Sequence, residues 1–253
     1  MNKLADLREK ALQDLKQSEV LMTDGHFDYG NGYHGHVYLN PHQLFRHPST
    51  IWRFAQDLID LLPGDLVQRT EVVAGPVTGG ALLAHTIAGL LDSRRSLTHP
   101  PCSFAPFNYD PAGGFTLRPF YRRELNGKRV LLADDVRNTG ETFSRCATLV
   151  NEAGATVLAT AEIYDRLEAI TELGVPNIAL VDYKAPENYE VGDCPLCKSG
   201  QPITRRITTT RSRSSSIAPH LASRVSRRRW RSASIGWCTR ASSASRGSSR
   251  SCR

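Results

Sequence analysis

Short apolar runs alternate with longer amphipathic segments along most of the chain. Each apolar run is too short for a helix and is flanked by polar residues, which is typical of a strand buried on both faces of a parallel sheet. Strands are predicted at residues 71–74, 130–133, 156–164 and 177–181, and helices at 1–20, 50–62, 81–91 and 143–153. This alternation predicts an α/β fold with a doubly wound parallel sheet, whose ligands lie at the carboxyl ends of the strands.

The strand predicted at 130–133 is followed at once by residues that carry candidate chemistry. Asp134 and Asp135 come first, and a small polar loop leads from them into the next predicted helix. Such a loop and a helix N-terminus gather backbone N–H groups around one point, where they can bind a phosphate monoester. Carboxylates would repel that phosphate, so we interpret the pair as acceptors for ribose hydroxyls or as neighbours of phosphate-bound Mg²⁺. The loop consists of Arg137, Asn138, Thr139, Gly140, Glu141 and Thr142.

A second unit of strand, loop and helix precedes the first. Glycines in its loop allow a tight turn and a close approach of the backbone to an anion. Alone, this loop is equally typical of a plain turn, and the acidic pair is compatible with a strand that ends in a solvated turn. Together the two units favour anion binding, although the spacing of a nucleoside-triphosphate P-loop is absent. The second loop consists of Gly75, Pro76, Val77, Thr78, Gly79 and Gly80.

The acidic pair with its Thr-Gly loop and the Gly-Pro-x-x-Gly-Gly loop resemble the type I phosphoribosyltransferase family. The resemblance implies that Asp134 and Asp135 are catalytic and hold the ribose 2′- and 3′-hydroxyls of phosphoribosyl pyrophosphate. It also implies that residues 137–142 hold the 5′-phosphate and that residues 75–80 hold the pyrophosphate. Mg²⁺ would be carried by the substrate, so no protein ligand is assigned to it.

Two further stretches are most like the orotate phosphoribosyltransferases. Gly25, His26 and Phe27 lead into a turn and a Tyr-rich strand, and Arg166 follows the strand predicted at 156–164. A guanidinium can bind a planar carboxylate in a bidentate manner. The resemblance therefore implies a homodimer that makes orotidine 5′-phosphate from orotate in pyrimidine nucleotide biosynthesis, with Phe27, Asn138 and Arg166 at the base. The alternatives are a structural hairpin for the first stretch and a helix-start salt bridge for Arg166.

Two departures from the orotate-specific pattern leave the base open. The pyrophosphate loop has no Lys near Thr78, where the orotate enzymes usually carry one. The segment at 103–123 is predicted to be a mobile hairpin that closes over the site, yet its residues 104–117 contain no Lys, Arg or His. Positive charge would then come from Arg118, Arg122 and Arg123. A phosphoribosyltransferase for another base, and a non-catalytic regulator that senses phosphoribosyl pyrophosphate, stay open as alternatives.

Charge divides the chain near residue 204. The 253 residues carry a formal net charge of +7, but residues 204–253 contain 13 Arg, 14 Ser and no acidic residue, whereas residues 1–203 carry −6. The predicted organisation is an N-terminal helix and base-side hood at 1–40, a core at 41–203 and a tail at 204–253. The tail's composition is typical of a disordered basic arm or of out-of-frame translation of a GC-rich gene. Because residues 1–203 are acidic, nucleic acid is not a predicted partner.

Cysteine and histidine positions give a weak metal signal. Cys194 and Cys197 have metal-ligand spacing, but no second pair lies near them in the sequence. Metal binding by His26, His34 and His36 is not favoured, because no cysteine or carboxylate pattern accompanies them. No apolar run reaches the length of a membrane span, and the N-terminus is charged and amphipathic. We therefore expect a cytoplasmic protein.

Overall fold

The computed structural model describes residues 3–30, 32–96, 98–111 and 113–206. These residues belong to one compact unit of the chain. The predictions for the tail beyond residue 206 lie outside the described residues. Within the part of the chain that is described, no helix has both the length and the apolar character that crossing a membrane requires.

Helices and strands alternate as predicted, and the observed ends lie within four residues of the predicted ones. The helices are α1 (Lys3–Gln17), α2 (Pro48–Leu61), α3 (Gly64–Arg69), α4 (Gly79–Ser93), α5 (Pro119–Leu125), α6 (Glu141–Glu152) and α7 (Pro195–Lys198), with a 3-10 helix at Pro41–Arg46. The first strands are β1 (Leu21–Met22), β2 (Phe27–Asp28), β3 (Tyr33–Gly35), β4 (Tyr38–Leu39), β5 (Val72–Pro76) and β6 (Ser103–Tyr109). The later strands are β7 (Phe115–Thr116), β8 (Arg129–Arg137), β9 (Thr156–Asp165), β10 (Asn177–Asp182), β11 (Tyr189–Glu190) and β12 (Arg205–Arg206).

A six-stranded sheet with the order β10-β9-β8-β5-β6-β7 forms the centre of the fold. Neighbouring strands are parallel, except that β6 and β7 pair antiparallel. From β5 the chain moves outward to β6 on one side, and then returns to β8 on the other side. The topological switch point therefore lies between β5 and β8, where ligands bind in open α/β sheets. The prediction of a doubly wound α/β sheet is confirmed.

Both faces of the central sheet are buried. On β8, Leu131 and Ala133 join a core cluster with side chains of α1, α2 and α4. The alternate residues Val130 and Leu132 join a second cluster with side chains of α5 and α6. Successive strand residues point to opposite faces of the sheet. A strand whose two faces are both covered therefore has an unbroken apolar sequence.

A smaller sheet with the order β11-β3-β2-β12 joins strands from both ends of the described chain. Arg205–Arg206 pairs in parallel with β2, and the Thr204 N–H donates a hydrogen bond to the His26 carbonyl at 2.7 Å. Strands from both sides of the predicted boundary at residue 40 therefore belong to the same sheet. The first residues of the predicted tail also belong to that sheet.

The segment predicted to be a mobile hairpin is built differently. Its first half, Ser103–Tyr109, is a strand of the central sheet, where Ala105 and Phe107 are buried. The short strand β7 then turns back and pairs antiparallel with the end of β6. Arg122 lies on α5 and forms an ion pair with Glu152 at 3.7 Å. The predicted hairpin is therefore present between residues 108 and 116, but the prediction is wrong for residues 119–123, which form α5.

Candidate active site

The acidic pair lies on β8, beside the switch point. The strand continues through Asp134 and Asp135 to Arg137, beyond its predicted end, because these residues keep pairing with β9. Asp134 is 7% exposed, and its Oδ1 accepts a hydrogen bond from the Asp135 N–H at 2.9 Å. Asp135 Oδ1 accepts from the Val136 N–H at 3.0 Å. These backbone contacts fix both carboxyl groups near the carboxyl end of the strand.

Burial distinguishes the two acids. The pKa of Asp134 is raised well above its ordinary value, chiefly by burial in a low-dielectric environment and then by the charge of Asp135. Burial therefore makes the charged form of Asp134 less favourable than that of an exposed carboxylate.

The glycine-rich loop packs directly against β8. A Cβ on Gly75 would lie 2.3 Å from the Gly80 carbonyl oxygen and 2.5 Å from the Ala133 carbonyl oxygen. A Cβ on Gly79 would lie 2.3 Å from Asp135 Oδ2. Real Cβ atoms do not approach other heavy atoms this closely, so only glycine allows the loop to lie against the acidic pair.

The two predicted anion loops meet around a cleft of about 240 Å³. Thr78 and Gly79 line it from the first loop, and Thr142 lines it from the second, with Asp134 and Asp135 between them. No Lys or Arg is among the described residues that line the cleft. Three further lining residues were not predicted, because they come from the 3-10 helix and the end of β6 and carry no local signal in the sequence. They are His42, Phe45 and Tyr109.

The loop of residues 137–142 turns into α6 at Gly140, whose φ is 82°. A Cβ at Gly140 would lie 2.4 Å from the Thr171 carbonyl oxygen. The Thr139 carbonyl accepts hydrogen bonds from the Ile170 and Thr171 N–H groups at 3.0 and 3.1 Å. Contacts with residues 170–171 thus hold the loop in place. The first turn of α6 then presents backbone N–H groups that lack intrahelical partners, as an anion site requires.

Two predicted members of this loop occupy different environments. Arg137 is largely buried and donates from Nη1 to Asp165 Oδ2 at 3.0 Å. This ion pair joins the ends of β8 and β9, so Arg137 would have to leave Asp165 to reach a phosphate. Asn138, in contrast, is exposed. Roles for both at the ligand stay predictions.

Arg166 lies at the end of β9 and lines a larger cavity of about 500 Å³. Tyr29, Tyr33 and Tyr38 line the same cavity from the N-terminal strands and the turn after β2. Arg166 is only partly exposed, and its Nη2 donates to Glu168 Oε1 at 3.1 Å. Phe27 is buried, 1% exposed, with its ring centre 5.9 Å from that of Tyr38. The structure thus places tyrosines at this cavity and sets Phe27 in the core, where it supports Tyr38.

Glu162 is a buried acid on β9, directly opposite Asp134 on β8. Its Oε1 accepts a hydrogen bond from Asn177 Nδ2 at 2.7 Å, whereas its Oε2 is buried without a hydrogen-bond partner. Burial is the main cause that raises the pKa of Glu162 to about 8. The folded protein therefore holds a proton on Glu162 that the unfolded chain releases above a pKa near 4.5.

We expect Glu162→Gln to flatten the dependence of stability on pH. Because the folded-state pKa is raised, stability falls as pH rises from about 4.5 towards 8, on the order of a few kcal/mol for the full shift. Gln stays neutral, so the variant should be more stable than the parent in urea unfolding at pH 9, with a smaller difference at pH 5. Exposed Glu152 is the matched control, and Glu152→Gln should leave the slope unchanged. Equal slopes for Glu162→Gln and the parent would contradict the assignment.

Cys194 and Cys197 lie beside two of the histidines. The ligand atoms of His26, His34, Cys194 and Cys197 all fall within 4.8 Å of one another. The assumption that no cysteine pattern accompanies the histidines is wrong, because folding brings together residues separated by about 170 positions in the sequence. His36 lies apart from this cluster and contacts the ring of Tyr189.

No protein-family model matches the chain. Known proteins do match it: the orotate phosphoribosyltransferase of Erythrobacter litoralis is 30% identical over 197 residues, which are 78% of this chain and 95% of that protein. The chain belongs to the orotate phosphoribosyltransferase family. Another family member, from Caldanaerobacter subterraneus subsp. tengcongensis, is 29% identical over 198 residues, covering 78% of this chain and 96% of that protein.

Solved structures of phosphoribosyltransferases have a fold similar to that of this chain. The crystal structure of orotate phosphoribosyltransferase from Aeropyrum pernix matches with a TM-score of 0.51 and 23% identity, over 67% of this chain and 92% of that one. The adenine phosphoribosyltransferase of Trypanosoma brucei matches with a TM-score of 0.50 and 21% identity, over 72% of this chain and 82% of that one. The phosphoribosyltransferase fold expected from the sequence motifs is confirmed.

Proposed function

We propose that the protein transfers the phosphoribosyl group of phosphoribosyl pyrophosphate to orotate, giving orotidine 5′-phosphate and pyrophosphate. The observation that carries the proposal is the meeting of two anion loops around Asp134 and Asp135 at the switch point of the sheet. A donor with one phosphate at its 5′ end and a pyrophosphate at C1 needs two such loops, one on either side of its ribose. Family membership supports the same reaction.

The acidic pair suits the ribose between the loops. The carboxylate oxygens of Asp134 and Asp135 can accept hydrogen bonds from the ribose hydroxyl groups. The carboxyl and hydroxyl oxygens at the cleft are donors of the kind that Mg²⁺ prefers, so they fit a metal carried by the substrate beside Asp134, Asp135 and Thr142. When bound, Mg²⁺ would neutralise charge on the departing pyrophosphate. The residues of the chain orient the reacting carbon, and this proximity effect supplies much of the rate acceleration.

The cavity around Arg166 suits an aromatic base that carries a carboxylate. A guanidinium pairs with a carboxylate through two parallel hydrogen bonds, and tyrosine rings offer faces for stacking. The present partner of Arg166 is Glu168, and that ion pair is partly exposed and therefore weak. A ligand carboxylate can replace it. Position 163 of β9 faces Asp135 on β8, and Arg166 lies three residues further along the chain. Arg166 and Asp135 are therefore on the order of 10 Å apart.

A phosphoribosyltransferase for another base is the second candidate. Thr78 occupies the place of the loop Lys, and no Lys or Arg is among the described residues that line the cleft. A panel of bases assayed beside orotate separates the two candidates. Homodimerisation, which the resemblance implies, stays a prediction that sedimentation analysis can check.

The experiment for the base is steady-state turnover of phosphoribosyl pyrophosphate with orotate and Mg²⁺, using the full chain. We expect Arg166→Ala to raise the KM for orotate about 10- to 100-fold, because a charge-assisted pair contributes about 1.5–3 kcal/mol. The KM for phosphoribosyl pyrophosphate should change little.

Glu168→Gln is the matched control for this variant. It removes the partner of Arg166 but keeps the guanidinium, so the KM for orotate should stay equal or fall. An unchanged orotate KM in Arg166→Ala would remove Arg166 from the base site. Absence of turnover with orotate, together with turnover of another base, would replace the proposed acceptor and keep the transferase.

A further inference from the structure

Four metal-ligating side chains meet in the small sheet that joins the two ends of the described chain. His26 and His34 come from the hairpin of β2 and β3, whereas Cys194 and Cys197 flank the first turn of α7. We propose that this cluster is a structural zinc site. Its ligands are Nε2 of His26, Nδ1 of His34 and the two thiolates.

The distances between ligand atoms match those around a tetrahedral zinc ion. With Zn–S near 2.3 Å and Zn–N near 2.0 Å, two nitrogens lie about 3.3 Å apart, and a sulfur and a nitrogen lie about 3.5 Å apart. His26 Nε2 lies 2.9 Å from His34 Nδ1. Cys194 Sγ and Cys197 Sγ lie 3.7 and 3.6 Å from His26 Nε2, and Cys197 Sγ lies 3.3 Å from His34 Nδ1. All the distances among the four ligand atoms are at most 4.8 Å, so one ion can lie between them.

The outer nitrogens of both histidines face groups that orient metal ligands. His26 Nδ1 lies 2.8 Å from the Gln201 carbonyl oxygen, which can only accept, so this nitrogen carries the proton and Nε2 keeps its lone pair for the cluster. His34 Nε2 faces the Asp28 carboxylate at 3.9 Å. A proton on that nitrogen leaves the Nδ1 lone pair of His34 opposite the Nε2 lone pair of His26. A cation between them turns this repulsion into two ligand bonds.

The burial of the cluster favours a structural metal. His26, His34 and Cys194 are at most 4% exposed, although they lie in or beside a sheet whose strands are only two or three residues long. Such short strands bury little apolar area, and small units of this kind usually rely on disulfides or metals. Four protein ligands leave no open position for substrate, which distinguishes a structural zinc from a catalytic one. Two sulfur and two nitrogen ligands in tetrahedral geometry favour zinc over Mg²⁺.

The proposed metal would tie residues 194–206 to the hairpin that carries His26 and His34. The same hairpin contributes Tyr29 and Tyr33 to the cavity beside Arg166. Loss of the metal should therefore loosen one wall of that cavity.

The direct test is the metal content of the full chain, purified without chelators and measured by inductively coupled plasma mass spectrometry. We expect one zinc per chain. After the zinc is removed, added Co²⁺ should give the visible absorption of a tetrahedral cobalt site with thiolate charge-transfer bands. The cobalt spectrum needs no variant, so it tests the ligand set even if a variant fails to fold.

Variants identify the ligands. Cys194→Ser and His34→Ala should each abolish stoichiometric zinc and the cobalt spectrum, whereas Cys102→Ser, at a cysteine outside the cluster, should keep both. The double variant Cys238→Ser, Cys252→Ser should also keep stoichiometric zinc and the cobalt spectrum. That result would exclude zinc binding by the C-terminal cysteines. Chelation should lower the melting temperature of the parent, and Zn²⁺ but not Mg²⁺ should restore it. A parent chain without zinc or the cobalt spectrum, or a Cys194→Ser chain that retains zinc, would overturn the proposal.

Discussion

Asp135→Asn is expected to lower kcat for phosphoribosyl transfer about 100-fold or more, because misplacing the ribose by a small distance has an effect of this size. Asp135 is the more accessible acid of the pair, and its carboxyl group lies against the glycine-rich loop at Gly79. Replacing the carboxylate with an amide removes its charge. It also places an N–H donor where an oxygen should accept hydrogen bonds from the ribose hydroxyl groups. The measurement is steady-state kinetics with orotate and Mg²⁺.

Asp134→Asn should have the smaller effect of the two. Burial raises the pKa of Asp134, so a neutral amide resembles the protonated acid that the fold already favours. Asp65→Asn, at an exposed acid on α3, is the control and should leave kcat unchanged. Equal losses of kcat in Asp134→Asn and Asp135→Asn would contradict the expectation that the buried acid has the smaller effect.

Gly75→Ala is expected to produce the largest loss of stability, at least about 3 kcal/mol, and to abolish binding of phosphoribosyl pyrophosphate. The new methyl group would meet two backbone carbonyl oxygens, those of Gly80 and Ala133, within 2.5 Å. Backbone atoms cannot rotate away, so the loop must separate from β8. For a domain of this size, that loss corresponds to a fall in melting temperature of about 6–12 °C.

Gly89→Ala is the matched control on α4. A Cβ at Gly89 meets no heavy atom within 4 Å, and the residue is exposed in the interior of a helix. Alanine should therefore stabilise the protein by about 0.5–1 kcal/mol and leave ligand binding intact. A Gly75→Ala protein that melts like the parent and binds phosphoribosyl pyrophosphate normally would show that the close approach at Gly75 is dispensable.

Local patterns in the sequence determined the central sheet and the positions of the two anion loops. Residues 130–133 and 71–74 predict strands because a strand covered on both faces is apolar throughout. Asp134, Asp135 and Gly140 follow the predicted strand at 130–133 within a few residues, so they are recognisable without knowledge of contacts. Arg166 was predicted for the same reason, since it directly follows β9.

Contacts between distant segments were decided only by the tertiary structure. His42 and Tyr109 reach the cleft because a 3-10 helix and β6 end beside it, which no local pattern indicates. Burial, which raises the pKa of Asp134 and Glu162, likewise depends on packing from both faces of the sheet. The four-residue cluster is the clearest case. A single Cys-x-x-C predicts a metal site only weakly. Its histidine partners lie about 170 residues away, and only the pairing of strands from the two ends of the described chain brings them within reach.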